Sequence, residues 1–203
     1  MTGLRQLLCC TRAATAAEFA MIVPLLILFL LGIIDVGRFT WELNRAEKAT
    51  QMGARYAVVS DPVANVINVD FVDKYSIPGG DPVPSSVFGT ATCNSTSCTI
   101  SGSSSGVNGR DADAFTALVT WMQRFNPRVQ ASNVVVTYQN VGLGYSGNPT
   151  GPDVSPLTTV EIRNLTFSPL ILFGGSFNLP TIKASLTLED GECSTTGDCG
   201  ASN

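Results

Sequence analysis

With 203 residues the chain has room for one anchoring segment and one domain of ordinary size, not for a second full domain. Only 14% of residues are charged and the net charge is −4, so no basic field is present to hold a polyphosphate backbone and nucleic acid is disfavoured as a partner. Histidine is absent, which removes the Ser-His and Cys-His dyads and the commonest zinc ligand, and the chain is expected to have no catalytic, cofactor-binding or metal-binding residues.

The first strong element is residues 20–34, AMIVPLLILFLLGII, which carries no charge. Extended back through Ala13, Ala14, Thr15, Ala16 and Ala17 it reaches the roughly 20 residues that a bilayer core requires, with Glu18 as its sole charge. A membrane-spanning helix is expected over residues 14–35. Pro24 lies inside it and predicts a bend near Leu25 without a break. Arg5 and Arg12 precede the run with no acid beside them, whereas Asp35 begins the far side, so the N-terminus is expected in the cytoplasm. A cleaved secretory signal would end in a small-x-small site, and Asp35-Val36-Gly37-Arg38 fits that pattern poorly.

Beyond the apolar run, Val36, Phe39, Leu43, Ala46, Thr50, Gly53 and Ala57 recur at steps of three and four, the spacing of one helix stripe, so the helix is expected to continue over residues 36–60. Asp61-Pro62 supplies its stop. The stripe can pack on the protein's own domain, on other subunits, or on both.

Residues 61–203 are expected to form the extracytoplasmic domain. A Ser/Gly-rich stretch at about 77–110 reads as a flexible surface loop. A second helix is predicted over Asp111–Phe125, with Ala114, Leu118, Trp121, Met122 and Phe125 on its apolar face and Asp111 and Asp113 at its capped start. Strands are predicted at Val134–Gln139, Thr158–Phe167 and Ile182–Glu189, with apolar alternation at positions such as Leu186 and Leu188. The fold class is therefore α+β: a long N-terminal helix, half transmembrane and half amphipathic, followed by a small domain with a second helix and an antiparallel sheet.

Four of the six cysteines enclose two short polar loops, favouring disulfides Cys93–Cys98 and Cys193–Cys199 in an oxidising compartment, although crossed pairing remains open from spacing alone. Cys9 and Cys10 precede the apolar run and follow no lipobox. Asp190, Glu192 and Asp198 near the C-terminus lack EF-hand spacing and read as a solvated acidic loop.

Glu18 is an acid in an apolar stretch, penalised by about 2–3 kcal/mol near the membrane centre unless compensated. A cut between Ala13 and Ala14 would make it the fifth residue of the mature chain, where the new α-amino group of Ala14 can neutralise it within one subunit or between two. Arg12-Ala13-Ala14-Thr15-Ala16-Ala17-Glu18-Phe19-Ala20, then Pro24-Leu25-Leu26, then Leu31-Gly32-Ile33-Ile34-Asp35-Val36-Gly37-Arg38 and finally Gly53-Ala54-Arg55-Tyr56-Ala57 resemble the TadE-like (TadE/TadG-type) pilin family of the tight-adherence (Flp) pilus system. The likeness covers about residues 11–60. It implies a pilin-like fold, removal of residues 1–13 by a prepilin peptidase, and charge pairing by Glu18 beside Phe19. Ala13 departs from the family's usual glycine before the cut.

The resemblance further implies a minor pilin or pseudopilin in the bacterial inner membrane. Its expected partners are other pilin-like subunits, the inner-membrane platform proteins, the peptidase and membrane lipid. The expectation from another class is a membrane-tethered binding or adhesion module that uses its Ser/Gly-rich loops.

Overall fold

The computed structural model describes residues 11–107, 109–170 and 175–188. The chain divides into two compact units: the residues up to Glu42 with Phe167–Phe177, and Leu43–Thr166 with the residues from Asn178 onward.

Helix α1 (Thr11–Val59) passes through Pro24 without interruption. Proline removes one backbone donor there, and a helix tolerates that loss when the rest of its ladder is intact. The helix closes with Ser60 N–H donating to Tyr56 O at 3.0 Å, followed by Asp61-Pro62. Within the second unit α1 buries Ala46, Ala49, Thr50, Gly53, Ala54, Ala57 and Val58, all small enough to allow a close neighbour. The Thr50 hydroxyl donates to Ala46 O at 2.8 Å, so this polar group enters the core already satisfied. The expected stripe thus holds from Ala46 to Ala57, but Val36 is exposed.

A short helix α2 (Phe71–Tyr75) begins at Asp70, whose carboxylate accepts from Val72 and Asp73 N–H. Helix α3 (Ala112–Gln123) begins in the same way: Asp111 accepts from Asp113 N–H at 2.9 Å and from Ala114 N–H at 2.8 Å. Its buried side chains are Phe115, Leu118, Val119 and Met122. The apolar face is therefore rotated from the predicted one, because Phe115 and Val119 take the inward positions while Ala114, Trp121 and Phe125 are only half-buried. Trp121 instead stacks on Tyr56 of α1, ring centroids 5.4 Å apart, and Arg45 donates to Phe125 O at 3.3 Å.

The sheet has the order β2-β1-β3-β4-β7, with β1 (Thr90–Cys93), β2 (Cys98–Ile100), β3 (Val134–Gln139), β4 (Leu157–Ile162) and β7 (Ile182–Thr187), every neighbour antiparallel. Its inner face carries Ala91, Cys93, Val134, Val136, Tyr138, Val160 and Ile162, all buried. Each fully buried Val, Ile or Phe contributes about 1.5–3 kcal/mol, so this face and the small-residue stripe of α1 supply the core. The outer face is hydroxylated: Thr99, Thr92, Thr137, Thr159 and Ser185 are register partners in one row across all five strands.

Three expectations need correction. Residues 77–110 are not a surface loop, since they contain the β1–β2 hairpin and bury Val83, Phe88, Ala91, Cys93, Cys98 and Ile100. The strand expected over Thr158–Phe167 is two: β4 ends at Ile162 and β5 (Thr166–Phe167) pairs with β6 (Phe177–Asn178) in a separate ribbon. Asn164, with φ 54°, makes the break, since a left-handed residue cannot continue a strand. Finally, Leu186 is 40% exposed, because β7 is an edge strand, whereas Leu188 is buried.

Candidate functional site

The most distinctive surface of the first unit is the N-terminal half of α1. Phe19, Met21, Ile22, Leu25, Leu26, Ile27, Leu28, Phe29, Leu30, Ile33 and Ile34 are all exposed, a contiguous apolar surface of a kind that soluble monomers rarely leave uncovered. This is the one helix among the described residues that is long and apolar enough to cross a membrane. Its apolarity is all-round, as a lipid-facing helix requires, and not confined to a stripe.

Glu18 and Phe19 both lie exposed on this surface, and Glu18 has no ion-pair partner among the described residues. Ala13 and Ala14 belong to the first turn of α1. The free α-amino group that would face Glu18 exists only after a cut, so the uncut chain does not bring this pair together.

At the other end of the apolar run the acid is covered. Asp35 is 4% exposed; its Oδ1 accepts from Leu170 N–H at 2.9 Å and from Arg38 Nη1 at 3.4 Å. The Arg38 guanidinium lies over the Phe167 ring at 5.6 Å, within cation–π range. Phe39 meets the same loop, edge-on to Phe167 at 5.5 Å and 5.8 Å from Phe177, while Phe167 and Phe177 are themselves 5.5 Å apart. Asp35 and Glu42, both buried, stand on one helical line with Phe39 and Ala46. Sequence reading missed this line because it counted apolar residues only; two acids at the spacing of a buried face were the available signal.

In the head, Cys93 and Cys98 are joined by a disulfide that closes the β1–β2 hairpin, where they are register partners. Cys193 and Cys199 lie outside the described residues, as do Cys9, Cys10, Asp190, Glu192 and Asp198. Asp111 and Asp113 form the start of α3, and Asp111 is occupied by two backbone donors. Asp153, buried, ties two loops by accepting from Phe71 N–H at 2.8 Å and Asn148 N–H at 3.0 Å. Buried Tyr138 accepts from Val63 N–H at 3.0 Å, and loss of hydration pushes its phenol well above the usual range, the hydrogen bond opposing that shift. Among the described residues no group of three or more Cys, Asp or Glu is placed to hold a metal ion.

No curated protein and no solved structure matches the chain. Residues 13–55 match the family described as TadE-like protein, a segment that takes in the exposed apolar surface, the covered Asp35 and most of the small-residue stripe of α1. Over residues 13–55, then, the chain is similar to the TadE-like family.

Proposed function

We propose that this chain is a minor pilin or pseudopilin that supports assembly of a tight-adherence (Flp-type) pilus or of its secretion apparatus. The exposed apolar half of α1, lying within the TadE-like segment, carries the reading. Such a surface anchors a subunit in lipid before assembly and packs against neighbouring helices after it. Gly37, with open space where a side chain would begin, leaves room for a helix to approach closely just beyond the apolar run.

In this reading the N-terminus is cytoplasmic, the head lies in the periplasm, and a prepilin peptidase cuts between Ala13 and Ala14. Glu18 then pairs with the freed α-amino group of its own or a neighbouring subunit. The platform proteins and other pilin-like subunits are the partners, and no chemistry is required of the chain.

Deleting the gene and counting pili by electron microscopy tests the role; loss or sharp reduction of pili is expected. Normal piliation with loss of surface binding would replace it with a tethered binding module. N-terminal sequencing of membrane-extracted protein tests the cut and should find Ala14 first.

A further inference from the structure

One flank of α1 changes character where the apolar run ends. Leu30, Ile34, Arg38 and Trp41 follow one another at steps of four, four and three, so they share one helix face within the first unit, with Cβ atoms about 5–6 Å apart. Leu30 and Ile34 are about half exposed, Trp41 is 67% exposed and the Arg38 side chain 42%. At about 1.5 Å per residue a helix rises about 30 Å from Ala14 to Ile34, then about 6 Å more to Arg38 and about 10 Å to Trp41. A bilayer has a hydrocarbon core of about 30 Å and a polar layer of about 5–8 Å on each side. Helix side chains lean toward the N-terminus, which here is back toward the apolar run, so with Ile34 closing the core the Arg38 and Trp41 heads fall in the polar layer.

Arg38 is already oriented there by two neighbours. Its Nη1 donates to Asp35 Oδ1 at 3.4 Å, and its guanidinium lies 5.6 Å from the centroid of the Phe167 ring. A guanidinium carries five N–H donors, and Nε and Nη2 of Arg38 have no hydrogen-bond partner among the described residues. The indole N–H of Trp41 has none among them either. An oriented cationic fork with donors to spare, and a second donor one turn away on the same face, fit an oxyanion held between them. Asp35 is buried, so its own charge is withheld from that anion.

We propose that Arg38 and Trp41 form a seat for the phosphate of a phospholipid in the bilayer that α1 spans, with the lipid's acyl chain lying along Ile34 and Leu30. The occupant is lipid because the seat continues the exposed apolar surface of α1 without a gap, and a phosphate is the anion that every phospholipid presents at that height. Trp41 adds an amphipathic ring of the kind that settles at the headgroup level. The seat fixes the depth and rotation of α1, and a subunit drawn out of the bilayer must release this lipid. This inference rests on α1 crossing the membrane.

The test uses the full chain carrying Trp121→Phe, which leaves Trp41 as its sole tryptophan, reconstituted in phosphatidylethanolamine and phosphatidylglycerol vesicles. Leu28→Trp and Thr150→Trp, each with Trp41→Phe added, mark the anchor and an exposed position of the second unit. Trp41 emission is expected to be quenched more strongly by lipid bearing a nitroxide on its headgroup than by lipid bearing a doxyl group deep in its acyl chain, and less by aqueous acrylamide than position 150. In detergent, native mass spectrometry with added phosphatidylglycerol should find one lipid retained by the wild-type chain, and Arg38→Gln should need about tenfold more lipid for the same occupancy. Arg38→Lys keeps a cation beside Asp35 but loses the fork, and should also weaken retention, so a defect from leaving Asp35 unpaired does not decide the outcome. Retention unchanged in both variants overturns the seat. Acrylamide access at position 41 equal to that at position 150, with position 28 quenched by the doxyl lipid, overturns the seat and leaves the anchor standing. Protection at position 41 from both the headgroup nitroxide and acrylamide assigns the flank to a protein partner and also overturns it, and absence of doxyl quenching at position 28 overturns both readings.

Discussion

Tyr138 and Thr158 are register partners on the inner face of β3 and β4, and their hydroxyls have opposite fates. The Tyr138 hydroxyl accepts from Val63 N–H, a buried donor left orphaned if the oxygen is removed. Tyr138→Phe is expected to lower stability by about 1–3 kcal/mol, measured by denaturant unfolding in detergent. The phenol's pKa is raised on folding, so its contribution is complete below the unfolded tyrosine value of about 10 and is lost as pH rises beyond it. The gap between wild type and Tyr138→Phe should therefore be constant at neutral pH and narrow by about 1.4 kcal/mol per pH unit above about pH 10. A gap unchanged at high pH would show that the phenol ionises as freely in the folded protein as in the unfolded one. Thr158 Oγ1 is buried with no hydrogen-bond partner among the described residues. Thr158→Val keeps the shape and removes an unsatisfied polar atom, and should raise stability by about 1 kcal/mol in the same assay.

Between elements, α1 and α3 approach closely at Gly53. A side chain begun at Gly53 would meet Met122 Cγ at 2.8 Å and Sδ at 2.9 Å, inside van der Waals contact. Gly53→Leu is expected to cost about 1–3 kcal/mol by overpacking. Met122→Ala costs about 2–5 kcal/mol alone by leaving a cavity. The double variant should be more stable than the sum of the two predicts by about 1 kcal/mol or more, since each change relieves the other; strict additivity in thermal unfolding would mean that these helices do not meet there. The stripe through Gly53 was legible because small residues recurred at helical spacing. Its extension through Asp35 and Glu42 was not, since carboxylates are normally read as a solvated face. The β1–β2 hairpin was hidden by its Ser, Thr and Gly neighbours, although Thr-Ala-Thr-Cys and Cys-Thr-Ile alternate as a strand should. The breadth of β4 was overestimated because nothing in Arg163-Asn164-Leu165 alone announces a left-handed asparagine.

For the whole molecule, the balance to be tested is that of the anchor. Eleven of residues 20–34 are Leu, Ile, Phe or Val, each favouring the bilayer centre by about 0.3–0.6 kcal/mol, which gives about 3–7 kcal/mol in total. An unpaired Glu18 near the core opposes this by about 2–3 kcal/mol, so insertion is favourable by a margin that one more charge can remove. Leu28→Arg, which adds about 3 kcal/mol at mid-helix, should shift a large share of the protein out of the carbonate-resistant membrane fraction. Glu18→Gln should leave that fraction as large as in wild type or larger, because it deletes the only charge in the run. If Glu18 serves assembly by pairing with the α-amino group of Ala14, Glu18→Gln will at the same time lose its co-purification with other pilin-like subunits from mild detergent. Membrane retention and assembly then separate at a single residue. A Glu18→Gln chain that is retained and still co-purifies would assign Glu18 to the water-facing edge of the membrane and leave assembly to the apolar surface alone.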